Sequence, residues 1–208
     1  MNAPANHPQF TAVLFGLSGC LVDFGARAQS FSLGAGTDAN AELTRHAELA
    51  PGAHELLNNL QQHKVPCAWL DELPDQTCTQ LSSQLPQWIQ AGKRPARAWP
   101  APDACWQALM ALNVNQLDGC VLISSEPRLL QAGLNAGLWT VGLAACGQLC
   151  GKALSDWQAL EATEREQLRA QATLALYRLG VHAVTDQLTE LGPCLSDLNL
   201  RRLKGERP

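Results

Sequence analysis

The chain has 208 residues, 46% of them hydrophobic and 16% charged, with a formal net charge of -4 at pH 7. That is enough chain for one α/β domain with a full core, and its charge excludes the basic footprint of a nucleic-acid binder. No run approaches the ~20 apolar residues that span a bilayer, and MNAPANHPQF has neither a basic nor an apolar stretch, so no signal peptide and a cytoplasmic location are expected.

Ala12-Val13-Leu14-Phe15 is a short apolar run that suits a buried strand. Gly16, Ser18 and Gly19 break it, and Leu21-Val22-Asp23 follow. Residues 24–49 are poor in apolar side chains and punctuated by Gly34-Ala35-Gly36, which reads as a loop with a short helix near 41–48. Pro51 opens a helix over 51–64, with Leu56, Leu57 and Leu60 on its apolar face. A strand over 65–70 ends at the polar turn Asp71-Glu72-Leu73-Pro74, and a helix covers 75–84. Trp88-Ile89 fits a short helix or strand, and 93–102 is a Pro/Ala/Arg-rich loop.

A helix over 103–112 leads to a strand over 120–123, which ends at Ser124-Ser125-Glu126-Pro127. The next helix, 127–136, is closed by Gly137 as its C′ residue, and a strand over 139–143 follows. A long helix is predicted over 155–179, capped by Ser155-Asp156 and stopped by Gly180. A strand over 181–184 and a last helix from 185 or 186 to about 203 complete the chain. This alternation of strands and helices indicates a three-layer α/β domain, with a parallel sheet covered on both faces and no internal repeat or linker over 1–208.

Eight cysteines raise the question of metal or disulfide chemistry. Cys67 and Cys120 lie in strand runs, Cys105 in a helical pattern, and Cys78 and Cys194 stand alone. Only Cys146 and Cys150 are close, without a second pair or a histidine beside them, whereas zinc needs four ligands. Unpaired thiols in a reducing compartment are expected. The histidines at 7, 46, 54, 63 and 182 are dispersed, with no HxxxH and no His–Asp pairing in the sequence.

Several of these stretches resemble the haloacid dehalogenase (HAD) superfamily. TAVLFGLSGCLVD is similar to its motif I, hhhhDxDGTxxD, with Gly16 and Ser18 at the two catalytic Asp positions and Cys20 at the Thr. The resemblance implies that the first Asp would be nucleophile and Mg²⁺ ligand and the second the general acid/base. PGAHELLNNLQQHKVPCAWLDELP resembles the block leading into motif II, placing Asp71 at its phosphoryl-binding Ser/Thr. WPAPD resembles motif III with Trp99 at the Lys, and ISSEPRLLQAGLNAGLWTVGL resembles motif IV with Ser124 and Ser125 at the Mg²⁺-holding acids. The C-terminal third resembles the phosphonoacetaldehyde hydrolases of that superfamily. Those insert a helical cap after motif I that supplies a Schiff-base Lys; here 24–49 contains no Lys and is short for a domain, so an absent or vestigial cap is expected.

The residues at these positions read as disarmed. Gly16 offers no nucleophile, Ser18 cannot shuttle a proton as a carboxylate does, Trp99 carries no charge, and Ser124 and Ser125 suit Mg²⁺ poorly. Asp71 would repel an anion. The expected function is a phosphonatase-like HAD homologue without the parent activity, in a binding, scaffolding or regulatory role, without a metal or cofactor. Its partner would be a protein, a small molecule or a second copy of the chain. The candidate pocket comprises Gly16, Ser18, Gly19, Cys20, Asp71, Glu72, Trp99, Ser124, Ser125 and Glu126. The alternative is a hydrolase rebuilt around Asp71, Glu72, Ser124 and Ser125.

Other assignments compete at single residues. Cys20 is a nucleophile or, more simply, a buried thiol. Asp71, Glu72 and Glu126 are metal ligands or ordinary turn and N-cap residues. Asp23 is a stray base or a helix-capping or loop-forming residue. Trp99 and Trp106, with Trp69 and Trp88, form either a protein-binding surface or a plug in the pocket.

Overall fold

The computed structural model describes residues 10–28, 45–94 and 96–208. Strand β1 (Ala12–Gly16) is the hub. Its apolar run is buried on both faces, as expected of a central strand in a parallel sheet. It pairs in parallel with β2 (Cys67–Leu70) on one side and β4 (Cys120–Ser124) on the other, so that Phe15 lies opposite Trp69 and Ile123. With β3 (Gln90–Ala91), β5 (Trp139–Leu143) and β6 (Ala183–Thr185), these form a six-stranded parallel sheet of order β3-β2-β1-β4-β5-β6. The chain builds outward from β1 in one direction and then from β4 in the other. The crevice beyond the carboxyl ends of β1 and β4 is therefore the switch point where α/β folds place their ligands.

Side-chain alternation along β1 splits the core. Ala12 and Leu14 join a cluster with α3 (Asp103–Ala111) and α4 (Pro127–Asn135). Val13 and Phe15 face a larger cluster that includes residues of α1 (Ala53–Gln62), α2 (Asp75–Leu81), α6 (Ala162–Arg178) and α7 (Leu191–Leu203). Each fully buried Leu or Phe contributes on the order of 1.5–3 kcal/mol, and on both faces this burial holds the strand ends in a fixed register.

The layered α/β architecture agrees with the sequence, and the differences are local. The long helix predicted over 155–179 is two helices, α5 (Leu154–Ala159) and α6, separated by the extended residues Leu160 and Glu161. Trp157, 3% exposed, anchors α5 in the core, while α6 runs over the sheet edge through Ala172 and Leu176. Ala153 rather than Ser155 is the N-cap of α5. Trp88 and Ile89 precede the short edge strand β3 instead of forming it. A 3₁₀ turn, Leu188–Glu190, delays the last helix to Leu191, and β6 starts at Ala183. Most of the helix predicted near 41–48 lies outside the described residues; within them, residues 45 and 46 are helical. Gly137, at φ 77, follows α4 as anticipated. Among the described residues no helix is long and apolar enough to cross a membrane.

Candidate functional site

The chain turns tightly as it leaves β1. The Leu17 carbonyl accepts from the amides of Cys20, Leu21 and Val22, and Gly19, at φ 75, donates its own amide to the Val22 and Asp23 carbonyls. This turn presents the Ser18 amide to the end of β2, where Asp71 Oδ2 accepts it at 3.0 Å. Asp71 Oδ1 accepts from the Leu73 amide, also at 3.0 Å. Burial pushes the Asp71 carboxyl above its ordinary range, and nearby Asp23 adds to this, while the amides of Ser18, Leu73 and Glu72 pull the other way.

Glu72 reaches across the crevice. Its Oε1 accepts from the Trp99 amide at 2.5 Å and its Oε2 from Arg128 Nη1 at 3.1 Å. Arg128 Nη2 donates to the Trp99 carbonyl, closing the ring. Glu126 is the N-cap of α4, with Oε1 accepting from the Arg128 amide at 3.0 Å. Burial raises the Glu126 carboxyl, Arg128 opposes the rise, and Asp71 and Glu72 reinforce it. These groups surround a cavity of about 370 Å³ over Gly16 and Ser18.

Of the ten candidate pocket residues, Gly16, Ser18, Asp71, Glu72, Trp99 and Glu126 line this cavity, whereas Gly19, Cys20, Ser124 and Ser125 do not. Ser124 Oγ accepts from the Glu126 amide at 3.0 Å and lies 2.6 Å from where a Cβ on Gly16 would be. Ser125 Oγ donates to the Gly19 carbonyl at 2.8 Å and is wedged against Gly147. Cys20 is fully buried with its Sγ toward the Ile123 carbonyl, and burial raises its thiol far above the reactive range, which fits the buried-thiol reading. Trp99 is 6% exposed and forms a wall of the cavity. It neither plugs the site nor projects as a surface patch. Trp106, 43% exposed, donates Nε1 to the Ala136 carbonyl and is not part of the cavity. All eight cysteines are unpaired thiols.

Sequence reasoning missed three polar wall residues, Arg94, Arg128 and Gln148. A signal for Arg128 was present. The acid–proline pair Glu126-Pro127 marks a helix start, and a helix starting at the end of β4 aims its first turn at the crevice. Sequence reasoning also missed a pairing of Asp23 with His46, whose Nδ1 lies 2.9 Å from Asp23 Oδ1. The Asp23 side chain is fully buried and accepts as well from Ser18 Oγ at 2.6 Å, Arg27 N at 3.1 Å and Ala28 N at 2.8 Å. It is a loop-forming residue, as one of its two readings had it, with a histidine partner that the sequence does not reveal.

No family model matches the chain. Among curated relatives, the phosphonoacetaldehyde hydrolase of Aeromonas hydrophila is 31% identical over 179 residues, covering 81% of this chain and 63% of that protein. The one from Klebsiella pneumoniae is 33% identical over 121 residues, covering 58% and 45%. The chain thus spans about half to just under two thirds of the length of these relatives. A crystal structure 59% identical in sequence superposes with a TM-score of 0.89 over 96% of this chain and the whole of the other. That of a phosphonoacetaldehyde hydrolase-like protein from Oleispira antarctica, 19% identical, superposes with a TM-score of 0.87 over 100% and 99%.

The chain is similar to the phosphonoacetaldehyde hydrolases in sequence and to HAD-superfamily hydrolases in fold.

The donor set at this strand end does not fit Mg²⁺. The position that would offer a carboxylate from β1 is Gly16, and Ser124 Oγ fills the space beside it. Ser125 is turned away toward Gly19. Asp71 already accepts backbone hydrogen bonds on both oxygens. Among the described residues no three His, Cys, Asp or Glu side chains converge as a metal would require.

Proposed function

We propose that this phosphonatase-like HAD protein is a binding protein that has lost the phosphoryl and C–P chemistry of its branch. The observation that carries this reading is the packing of Ser124 Oγ into the space a side chain on residue 16 would need. Gly16 offers no nucleophile, and because Ser124 Oγ occupies the place of a side chain there, the end of β1 that faces the cavity carries no reacting group. The charge of the cavity supports the same reading, because Asp71, Glu72 and Glu126 outnumber Arg94 and Arg128 on its wall. We further propose that the cap is absent, since residues 24–49 are short for a domain. The pocket would then serve a scaffolding or regulatory role by holding a small molecule or a partner's side chain. We place the protein in the cytoplasm, a setting that its eight unpaired thiols support.

The test is direct. Purified protein with Mg²⁺ is expected to turn over neither p-nitrophenyl phosphate nor phosphonoacetaldehyde above the buffer rate. Turnover that disappears in Asp71→Ala would replace this reading with a second one, a hydrolase with a rebuilt site. One observation favours that alternative: burial raises the Asp71 carboxyl, as a general acid requires. Ser124 and Ser125 stand outside the cavity, so such a site would reduce to Asp71 and Glu72.

A further inference from the structure

Five hydrogen-bond donors around the cavity share one property. The backbone amides of Ser18, Leu73, Trp99 and Arg128 and the Arg128 guanidinium are the kind of groups that together bind a tetrahedral oxyanion at the carboxyl end of a parallel sheet. Each of them is already engaged by a carboxylate of the same cavity. Asp71 takes Ser18 N and Leu73 N, Glu126 takes Arg128 N, and Glu72 takes both Trp99 N and the guanidinium.

Glu72 differs from the other two. Asp71 and Glu126 each accept an amide two residues ahead of themselves, a local arrangement that turns and helix starts use throughout proteins, and only one oxygen of Asp71 reaches a distant amide, that of Ser18. Glu72 accepts from two partners 27 and 56 residues away, on two different elements, and places one oxygen on each. A backbone amide and a guanidinium converging on two oxygens of one anion are what a bound carboxylate or phosphate would show. Arg128 in turn grips the Trp99 carbonyl, so the loop before α3 and the first turn of α4 are tied together across this one side chain.

We propose that Glu72 is a built-in stand-in for an anionic ligand, occupying the Trp99 amide and the Arg128 guanidinium so that the pocket refuses oxyanions in the native protein. An incoming phosphate would have to displace Glu72 and leave its charge without a partner beside Asp71 and Glu126, while the donors it gained would be ones the protein already uses. Removing Glu72 reverses the balance. It frees one amide and one guanidinium and deletes the repelling charge, and Arg94, on the same wall and without an ion pair among the described residues, adds a second cation. The inference rests on the reading of this pocket as a binding site rather than a catalytic one.

The experiment is a titration with inorganic phosphate, followed by calorimetry and ³¹P line width, of wild-type protein, Glu72→Ala and Glu72→Ala/Arg128→Ala. Wild type is expected to show no saturable binding up to about 10 mM phosphate, and Glu72→Ala to bind at least about tenfold tighter than that limit, the worth of one freed charge-assisted hydrogen bond. The double variant is expected to lose the gain. Wild-type binding as tight as that of Glu72→Ala overturns the proposal. So does a folded Glu72→Ala that binds nothing, or a double variant that binds as well as the single. If Glu72→Ala does not fold, Glu72→Gln is titrated by the same criteria, since it keeps an acceptor for the Trp99 amide and removes the charge. Turnover of phosphate esters by wild type would sink the proposed function while leaving these binding outcomes to decide the role of Glu72.

Discussion

Ser124 and Ser125 at the carboxyl end of β4 are locked inside the protein, whereas Asp71 and Glu72 at the carboxyl end of β2 face a cavity. Ser124 and Ser125 are 0% and 1% exposed and fill the spaces above Gly16 and beside Gly19 and Gly147. Asp71 and Glu72, only one strand-width to the other side of β1, line the cavity and satisfy amides and a guanidinium around its wall. The proposed loss of the parent chemistry thus has two physical sides. On the β4 side small residues interlock, glycine against serine, and the proposed block is steric. On the β2 side the volume remains and the proposed block is electrostatic. A steric loss is repaired only by changing both partners, while an electrostatic one yields to a single substitution.

The largest effect that would sharpen this contrast comes from Gly147→Ala. Gly147 sits at φ 75, and a Cβ there would lie 2.0 Å from Ser125 Oγ, so backbone strain and a collision with a buried side chain act together. A loss of about 4 kcal/mol in urea unfolding is expected, and a loss under about 1 kcal/mol would show that the β4 side is not rigidly packed. Next in size is Gly16→Ala, whose Cβ meets Ser124 Oγ at 2.6 Å. It should cost about 2 kcal/mol as an overpacked site. Combined with Ser124→Ala it should recover about half of that, because contacting residues are not additive. Strict additivity in this double-mutant cycle would break the steric account.

The smallest effect belongs to the cavity side. Burial raises the Glu126 carboxyl in the folded state, so its protonated form favours folding. That contribution is present below the ordinary carboxyl range and fades as pH rises through the raised value. Glu126→Gln keeps a neutral acceptor for the Arg128 amide at every pH and should flatten this decline by less than about 1 kcal/mol, given the partial exposure of the site. The check is the urea midpoint between pH 4 and 8, and an unchanged slope would contradict the assigned shift.

The fold was readable because β1, β2, β4 and β5 are short apolar runs ended by turn residues, and such runs betray buried parallel strands whatever their neighbours. The break at Leu160 and Glu161 was not readable, since helical propensity continues through it and only the burial of Trp157 forces the chain to change direction. In the site, the disarmed positions could be named from the motif outline, yet their fates could not. Whether Ser124 lines a cavity or fills one depends on which way a single Oγ points, and Cys20 was likewise decided by packing. Glu72 looked like one of several strand-end acids. Its significance lies in partners 27 and 56 residues away, a separation at which periodicity carries no signal. The pairing of Asp23 with His46 escaped for the same reason.

Asp23 also acts as a socket. One fully buried carboxylate holds the amides of Arg27 and Ala28 on one side and the imidazole of His46 on the other, while the Asp23 amide donates to the His46 carbonyl at 2.8 Å. Position 28 and position 46 are thereby fastened to the same point of the β1 turn, independently of what sequence joins them. With its ends already closed, lengthening the connection costs only about 0.6 kcal/mol for each doubling. Ser18 donates to the same carboxylate at 2.6 Å, so this socket also fixes a residue of the cavity wall.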